Sequence, residues 1–116
     1  MNDAMFFGLL VLLPVTMLLF GAALYKSPPE EANSLIGYRT RRSMASKEAW
    51  AYANTYSGKY WVVCGLVTLP LAVAAFFLLR NRDFSEALLG ICIGVQLAVL
   101  LSVIPATEIS LKKNGF

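Results

Sequence analysis

The feature that most constrains this chain is where its charges are missing. No Asp, Glu, Lys or Arg lies between Asp3 and Lys26, between Lys59 and Arg80, or between Glu86 and Glu108, gaps of 22, 20 and 21 residues. A helix needs about 20 predominantly apolar residues to cross the hydrocarbon core of a bilayer. Each gap meets that length, so the predicted fold is an all-α membrane protein with three transmembrane helices at about 4–25, 60–79 and 87–107. Residues 26–59 form a loop that includes an amphipathic cytoplasmic or interfacial helix, and residues 1–116 are expected to form a single membrane domain. The chain is 58% hydrophobic and 15% charged, where a soluble domain is roughly half apolar and a quarter charged. Such a balance excludes a secreted disulfide scaffold, a disordered tail and a self-sufficient soluble enzyme. The first span stands where a signal peptide would, and Gly21-Ala22-Ala23 offers small residues for cleavage. Met-Asn-Asp supplies no basic segment before it, and the apolar run is long for a signal peptide, so the span is expected to remain.

The basic residues divide unevenly. Lys26, Arg39, Arg41, Arg42, Lys47 and Lys59 lie in the long loop, Lys112 and Lys113 in the C-terminal tail, and Arg80 and Arg82 in the short turn between the second and third spans. With three spans, the loop and the C-terminus share a side, which the positive-inside rule makes cytoplasmic, leaving the N-terminus outside. The net charge of +3 is then mostly a topology signal. Juxtamembrane Lys and Arg face the bilayer and its anionic headgroups, so no nucleic acid is expected as a partner. Cys64 and Cys92 fall near opposite membrane faces, at depths differing by roughly 15 Å, beyond the reach of a disulfide. With no His and no clustered Cys, neither a metal site nor a cofactor is expected.

Within the third span Gly90, Gly94, Ala98 and Ser102 recur every four residues and share one helix face. Small side chains there permit close helix approach, which in lipid replaces the missing hydrophobic drive. The expected contact is with the other two spans, the alternative being a homodimer through Gly90, Gly94 and Ala98. Gln96 is a strongly polar side chain near mid-span, and an unpaired amide in hydrocarbon costs several kcal/mol, so it is expected to face the bundle. Pro14, Pro70 and Pro105 put one proline in each span and predict local loosening of the helix ladder. No carboxylate, Lys or Arg lies near mid-membrane, which counts against a proton-coupled transporter.

The loop carries the information. Pro28 and Pro29 end the first helix, and Gly37 is available for a tight turn. Ser43 or Ser46 can cap a new helix that runs from Lys47 toward the second span. Tyr52, Tyr56 and Tyr60 form one stripe of that helix; Trp50, Asn54, Ser57 and Trp61 form another. Aromatics with polar tips favour the headgroup level, which reads as an interfacial helix. The sharper reading joins Trp50 and Asn54 to the Gly-Tyr-Arg segment in a small site. Arg39 offers a donor fork suited to a carboxylate or phosphate. Glu108, on the same membrane side, can pair with it and tie the loop to the bundle, or can pair with Lys112 along its own helix.

Asn33, Ile36-Gly37-Tyr38-Arg39-Thr40, Ser43, Trp50, Asn54 and Gly58-Lys59 together resemble the signature of the SdpI family of bacterial multipass membrane proteins. Glu108, Leu111 and Lys112 extend the likeness more loosely. The resemblance is to the family's core unit only. It implies a protein of the bacterial cytoplasmic membrane that gives immunity against a secreted, membrane-active peptide toxin. It also implies a signalling role in which a regulatory protein is held at the membrane. A structural or assembly subunit that binds another membrane protein is the alternative. An enzyme using Tyr38, Arg39 and Glu108 on lipid or peptide is the weakest reading, since no nucleophile–base pair is recognisable.

Overall fold

The computed structural model describes residues 2–26, 37–83 and 85–116. Its elements are α1 (Asp3–Lys26), α2 (Lys47–Leu79), α3 (Ser85–Leu101) and α4 (Val103–Lys113). Among the described residues three helical stretches are long and apolar enough to cross a membrane, the third being α3 and α4 together. Asn33 and the Pro28-Pro29 exit from the first span lie outside the described residues.

The longest element is α2. At 1.5 Å per residue its 33 residues account for the 51 Å long axis of the molecule. A bilayer core takes up about 30 Å, so the first turns of α2 stand outside it. The amphipathic helix expected in the loop is thus continuous with the second span. Ser46 caps it, its extended backbone letting the side chain accept from the Ala49 amide at 3.0 Å, a bond that satisfies one of the free donors of a helix start.

Glycine sets the main helix contact. A Cβ on Gly58 would lie 2.6 Å from the Tyr25 nitrogen and 2.7 Å from the Gly21 carbonyl oxygen, and one on Gly21 would lie 2.8 Å from the Gly58 oxygen. Gly65 faces Leu18 in the same way. These glycines let the backbones of α1 and α2 touch, the close packing that membrane helices use. The corresponding expectation for the third span is corrected. Gly90 and Gly94 have nothing within 4 Å of a built Cβ, and Ala98 is exposed. Gly90, Gly94 and Ala98 point away from the other helices because Leu89 and Gln96 occupy the inward face, and of the stripe Ser102 alone meets α2.

Both ends of the bundle are closed by apolar clusters. Phe6 and Leu10 meet Ala72, Phe76 and Leu89 at one end; Tyr38, Ala49, Ala53 and Leu111 cluster at the other. Arg80 adds a 3.9 Å ion pair to Asp3 and lies over the Phe76 and Phe77 rings, joining the start of α1 to the end of α2. Cys64 and Cys92 are free.

Pro14 explains one long-range hydrogen bond, and Pro105 marks the helix junction where others gather. Pro14 has no N–H to give to the carbonyl four residues back, that of Leu10. Gln96 Nε2 donates to that oxygen at 2.8 Å instead, so Gln96 does face the bundle, as expected. Its own Oε1 is buried without a partner. Pro105 likewise withholds a bond from Leu101, and Leu101 is where α3 ends. Side chains of α2 clamp the junction: Trp61 Nε1 donates to the Leu100 carbonyl at 3.0 Å, and the Tyr60 hydroxyl is hydrogen-bonded to Ser102 Oγ at 2.5 Å.

Candidate functional site

The loop residues fold onto the start of α2 around Gly37. Its φ of +105° lies in a region that L side chains rarely adopt, and a Cβ there would come within 2.5 Å of Asn54 Oδ1 and 3.1 Å of the Trp50 ring. Glycine is therefore required both by its backbone angle and by its neighbours. The next residue uses that proximity. The Tyr38 amide donates to Asn54 Oδ1 at 2.7 Å, and Asn54 Nδ2 donates to the Trp50 carbonyl at 2.9 Å. Trp50 is 1% exposed and Asn54 fully buried, so both belong to the protein interior. The interfacial reading of this stripe is corrected on that point: the loop and α4 cover the helix face that would otherwise meet headgroups.

Beyond Tyr38 the chain makes a tight, doubly bonded turn. The Thr40 amide donates to Ser43 Oγ at 2.8 Å, and the Ser43 amide to Thr40 Oγ1 at 3.1 Å. Ser43 Oγ reaches the Tyr38 carbonyl at 3.1 Å. Side chains of Ser and Thr stabilise turns by such local bonds to backbone, so Ser43 acts as a brace and the cap falls to Ser46.

The turn aims two hydroxyls at α4. Tyr38 Oη donates to Glu108 Oε1 at 2.8 Å and lies 3.2 Å from the Ile104 carbonyl; Thr40 Oγ1 donates to the same carboxylate oxygen at 2.7 Å. Arg42 Nε stands 3.4 Å from Glu108 Oε2, and its Nη1 donates to the Phe116 carbonyl at 2.6 Å. Burial, reinforced by the hydrogen bond to Glu108 and its charge, holds the Tyr38 hydroxyl well above the usual tyrosine range. It stays protonated and keeps donating. Glu108 thus ties the loop to the third span, and Arg42, counted in the sequence only as a basic residue, joins the tie. Among the described contacts Glu108 turns to this loop, in place of the pairing with Lys112 along α4.

The tyrosine stripe also turns inward. The rings of Tyr52, Tyr56 and Tyr60 stack in succession, and the Tyr52 hydroxyl is hydrogen-bonded to Ser110 Oγ on α4. Of the sequence-predicted residues, Gly37, Tyr38, Thr40, Ser43, Trp50, Asn54 and Glu108 come together in this network. Gly58 serves the α1–α2 contact instead, and Lys59 is exposed on α2. Arg39 is exposed and lines a neighbouring cavity of about 510 Å³. That cavity lies between the end of α1, α2 and the α3–α4 junction. It was not legible in the sequence, because it exists only where four chain segments meet. Among the described residues no group of His, Cys, Asp and Glu is placed to hold a metal ion.

A family model described as the SdpI/YfhL protein family matches residues 31–106. The chain is also 43% identical over 51 residues to the uncharacterized protein YfhL of Bacillus subtilis (strain 168). That match takes in 44% of this chain and 46% of that protein, so it spans about half of either. No solved structure matches the chain significantly.

Proposed function

The chain belongs to the SdpI/YfhL protein family, and on that premise we propose that it is an immunity-type protein of the bacterial cytoplasmic membrane. In this reading it protects the cell against a secreted, membrane-active peptide toxin, without acting as an enzyme. The loop and α4 face the cytoplasm, the side to which the uneven Lys and Arg distribution assigns them.

One observation carries the reading. Of the residues through which the sequence resembles this family, Gly37, Tyr38, Thr40, Ser43, Trp50, Asn54 and Glu108 are gathered from the loop, α2 and α4 into a single bonded assembly, with Arg39 exposed beside it. A network of this kind holds a surface in one shape, which recognition of a partner requires. A signalling role would use the same cytoplasmic face to hold a regulatory protein.

The test is survival. A toxin-sensitive bacterium lacking its own immunity gene expresses the wild-type protein or Arg39→Ala, and is exposed to the family's killing peptide. Wild type should protect, and Arg39→Ala should lose protection at equal membrane abundance on a blot. Death of cells carrying abundant wild-type protein would count against the reading. The second reading, an assembly subunit, is favoured by the open Gly90, Gly94 and Ala98 face, which suits another membrane helix or a second copy. It expects a stable partner to co-purify in mild detergent, with no protection.

A further inference from the structure

The cavity beside Arg39 has two chemically different ends. Phe20, Leu24, Trp61, Leu100 and Ile104 make its walls apolar, while Arg39 and Thr40 stand where it meets the loop. Its position along the membrane normal follows from the sequence. Trp61 is the second residue of a charge-free span that begins just after Lys59, so the apolar walls lie at the edge of the hydrocarbon and the guanidinium at headgroup level. At about 510 Å³ it falls within the range of small-molecule sites, about 300–1,000 Å³.

We propose that this cavity binds an anionic phospholipid, with one acyl chain between α1, α2 and the α3–α4 junction and the phosphate against the Arg39 guanidinium. Three considerations select this occupant. The planar guanidinium fork matches the oxygens of a phosphate. Apolar walls opening at the bilayer edge are filled most readily by the acyl chains already surrounding the protein. Eight of the ten basic residues lie on this side of the membrane, the side whose leaflet carries anionic lipid. A secreted peptide arrives from the opposite side, so it is not the first molecule this cavity meets. The inference goes beyond the immunity reading and does not rest on it.

The experiment uses the full chain in phosphatidylcholine vesicles, titrated with phosphatidylglycerol or phosphatidylcholine brominated on an acyl chain. Tryptophan fluorescence is the readout: Trp61 lines the cavity and Trp50 is 1% exposed, a shielded background. Brominated phosphatidylglycerol should quench at about fivefold lower mole fraction than its phosphatidylcholine counterpart, roughly what one basic side chain supplies near an anionic lipid, and the signal should saturate. Arg39→Gln should bring the two lipids together. Arg41→Gln, exposed and away from the cavity, should leave the preference intact. Leu24→Phe, which places a ring in the cavity, should weaken quenching by both lipids, and thermal melting in detergent checks that each variant is folded. Equal quenching by the two lipids on wild type overturns the proposal, whatever the variants do. So does a preference that survives in folded Arg39→Gln, or that falls equally in Arg41→Gln, the mark of diffuse surface attraction. Displacement of the lipid by inorganic phosphate would make the site one for a free anion and overturn it as well.

Discussion

Glu108 concentrates the polar chemistry of the loop side: one carboxylate oxygen accepts from Tyr38 and Thr40, and the other faces Arg42. Hydrogen bonds to a charged group contribute about 1.5–3 kcal/mol each when well shielded. Glu108 is about a third exposed, so solvent screening reduces that contribution. Tyr38 gives a pH signature. Its hydroxyl is harder to ionise in the folded protein, chiefly through burial and then through Glu108. The unfolded chain releases this proton near pH 10, while the native state still holds it. The stabilisation is therefore complete below about pH 10 and is lost as pH rises above it. Thermal melting in detergent should show stability falling from about pH 10 upward, and Tyr38→Phe should flatten part of that slope. An unchanged alkaline slope in the variant would show that Tyr38 is not the group responsible.

At the scale of elements, the glycines separate into two kinds. Gly58 sits where the α1 and α2 backbones touch, and a methyl group there meets backbone atoms at 2.6 and 2.7 Å and the Leu24 Cβ at 2.9 Å. Gly94 faces open space. Gly58→Ala should therefore lower stability by about 1–3 kcal/mol, the usual range for overpacking. Gly94→Ala should stay within about 0.5 kcal/mol, as for substitutions that touch no neighbour. Detergent-titrated unfolding of the two variants reads this directly, and similar losses in both would refute the assigned helix contacts. Proline and its donors form the other element-scale device. Pro14 and Pro105 release carbonyls that other helices can use, and Gln96 and Trp61 bond at or beside those points. A break in one helix thereby becomes an attachment for the next.

The whole molecule is a rod built on α2, with its bonded, aromatic end on the side of the basic residues. This asymmetry predicts orientation. With Cys64 and Cys92 replaced by Ala, a membrane-impermeant thiol reagent applied to intact cells should label Asn2→Cys. Lys113→Cys should be labelled only after the membrane is permeabilised. The reverse pattern would invert the proposed topology, and with it the assignment of the cavity to the cytoplasmic leaflet.

The three spans were legible in the sequence because exclusion of charge from hydrocarbon is a property of each segment alone, requiring no knowledge of neighbours. The inward direction of Gln96 was legible for the same reason, since lipid leaves a buried amide no other outcome. The turn at Gly37 and the helix start near Ser46 were local enough to read. Which small residues form a helix contact was not: Gly90, Gly94 and Ala98 have the periodic spacing, yet Gly21, Gly58 and Gly65 make the contact. Spacing places residues on a face, and only packing decides what that face meets. Trp50 and the tyrosines looked interfacial from composition, and the tertiary fold turned Trp50, Tyr52 and Tyr60 inward by laying the loop and α4 over them. The joining of Tyr38 and Thr40 to Glu108, some 70 residues away in sequence, and the cavity beside Arg39 exist only once the helices are assembled.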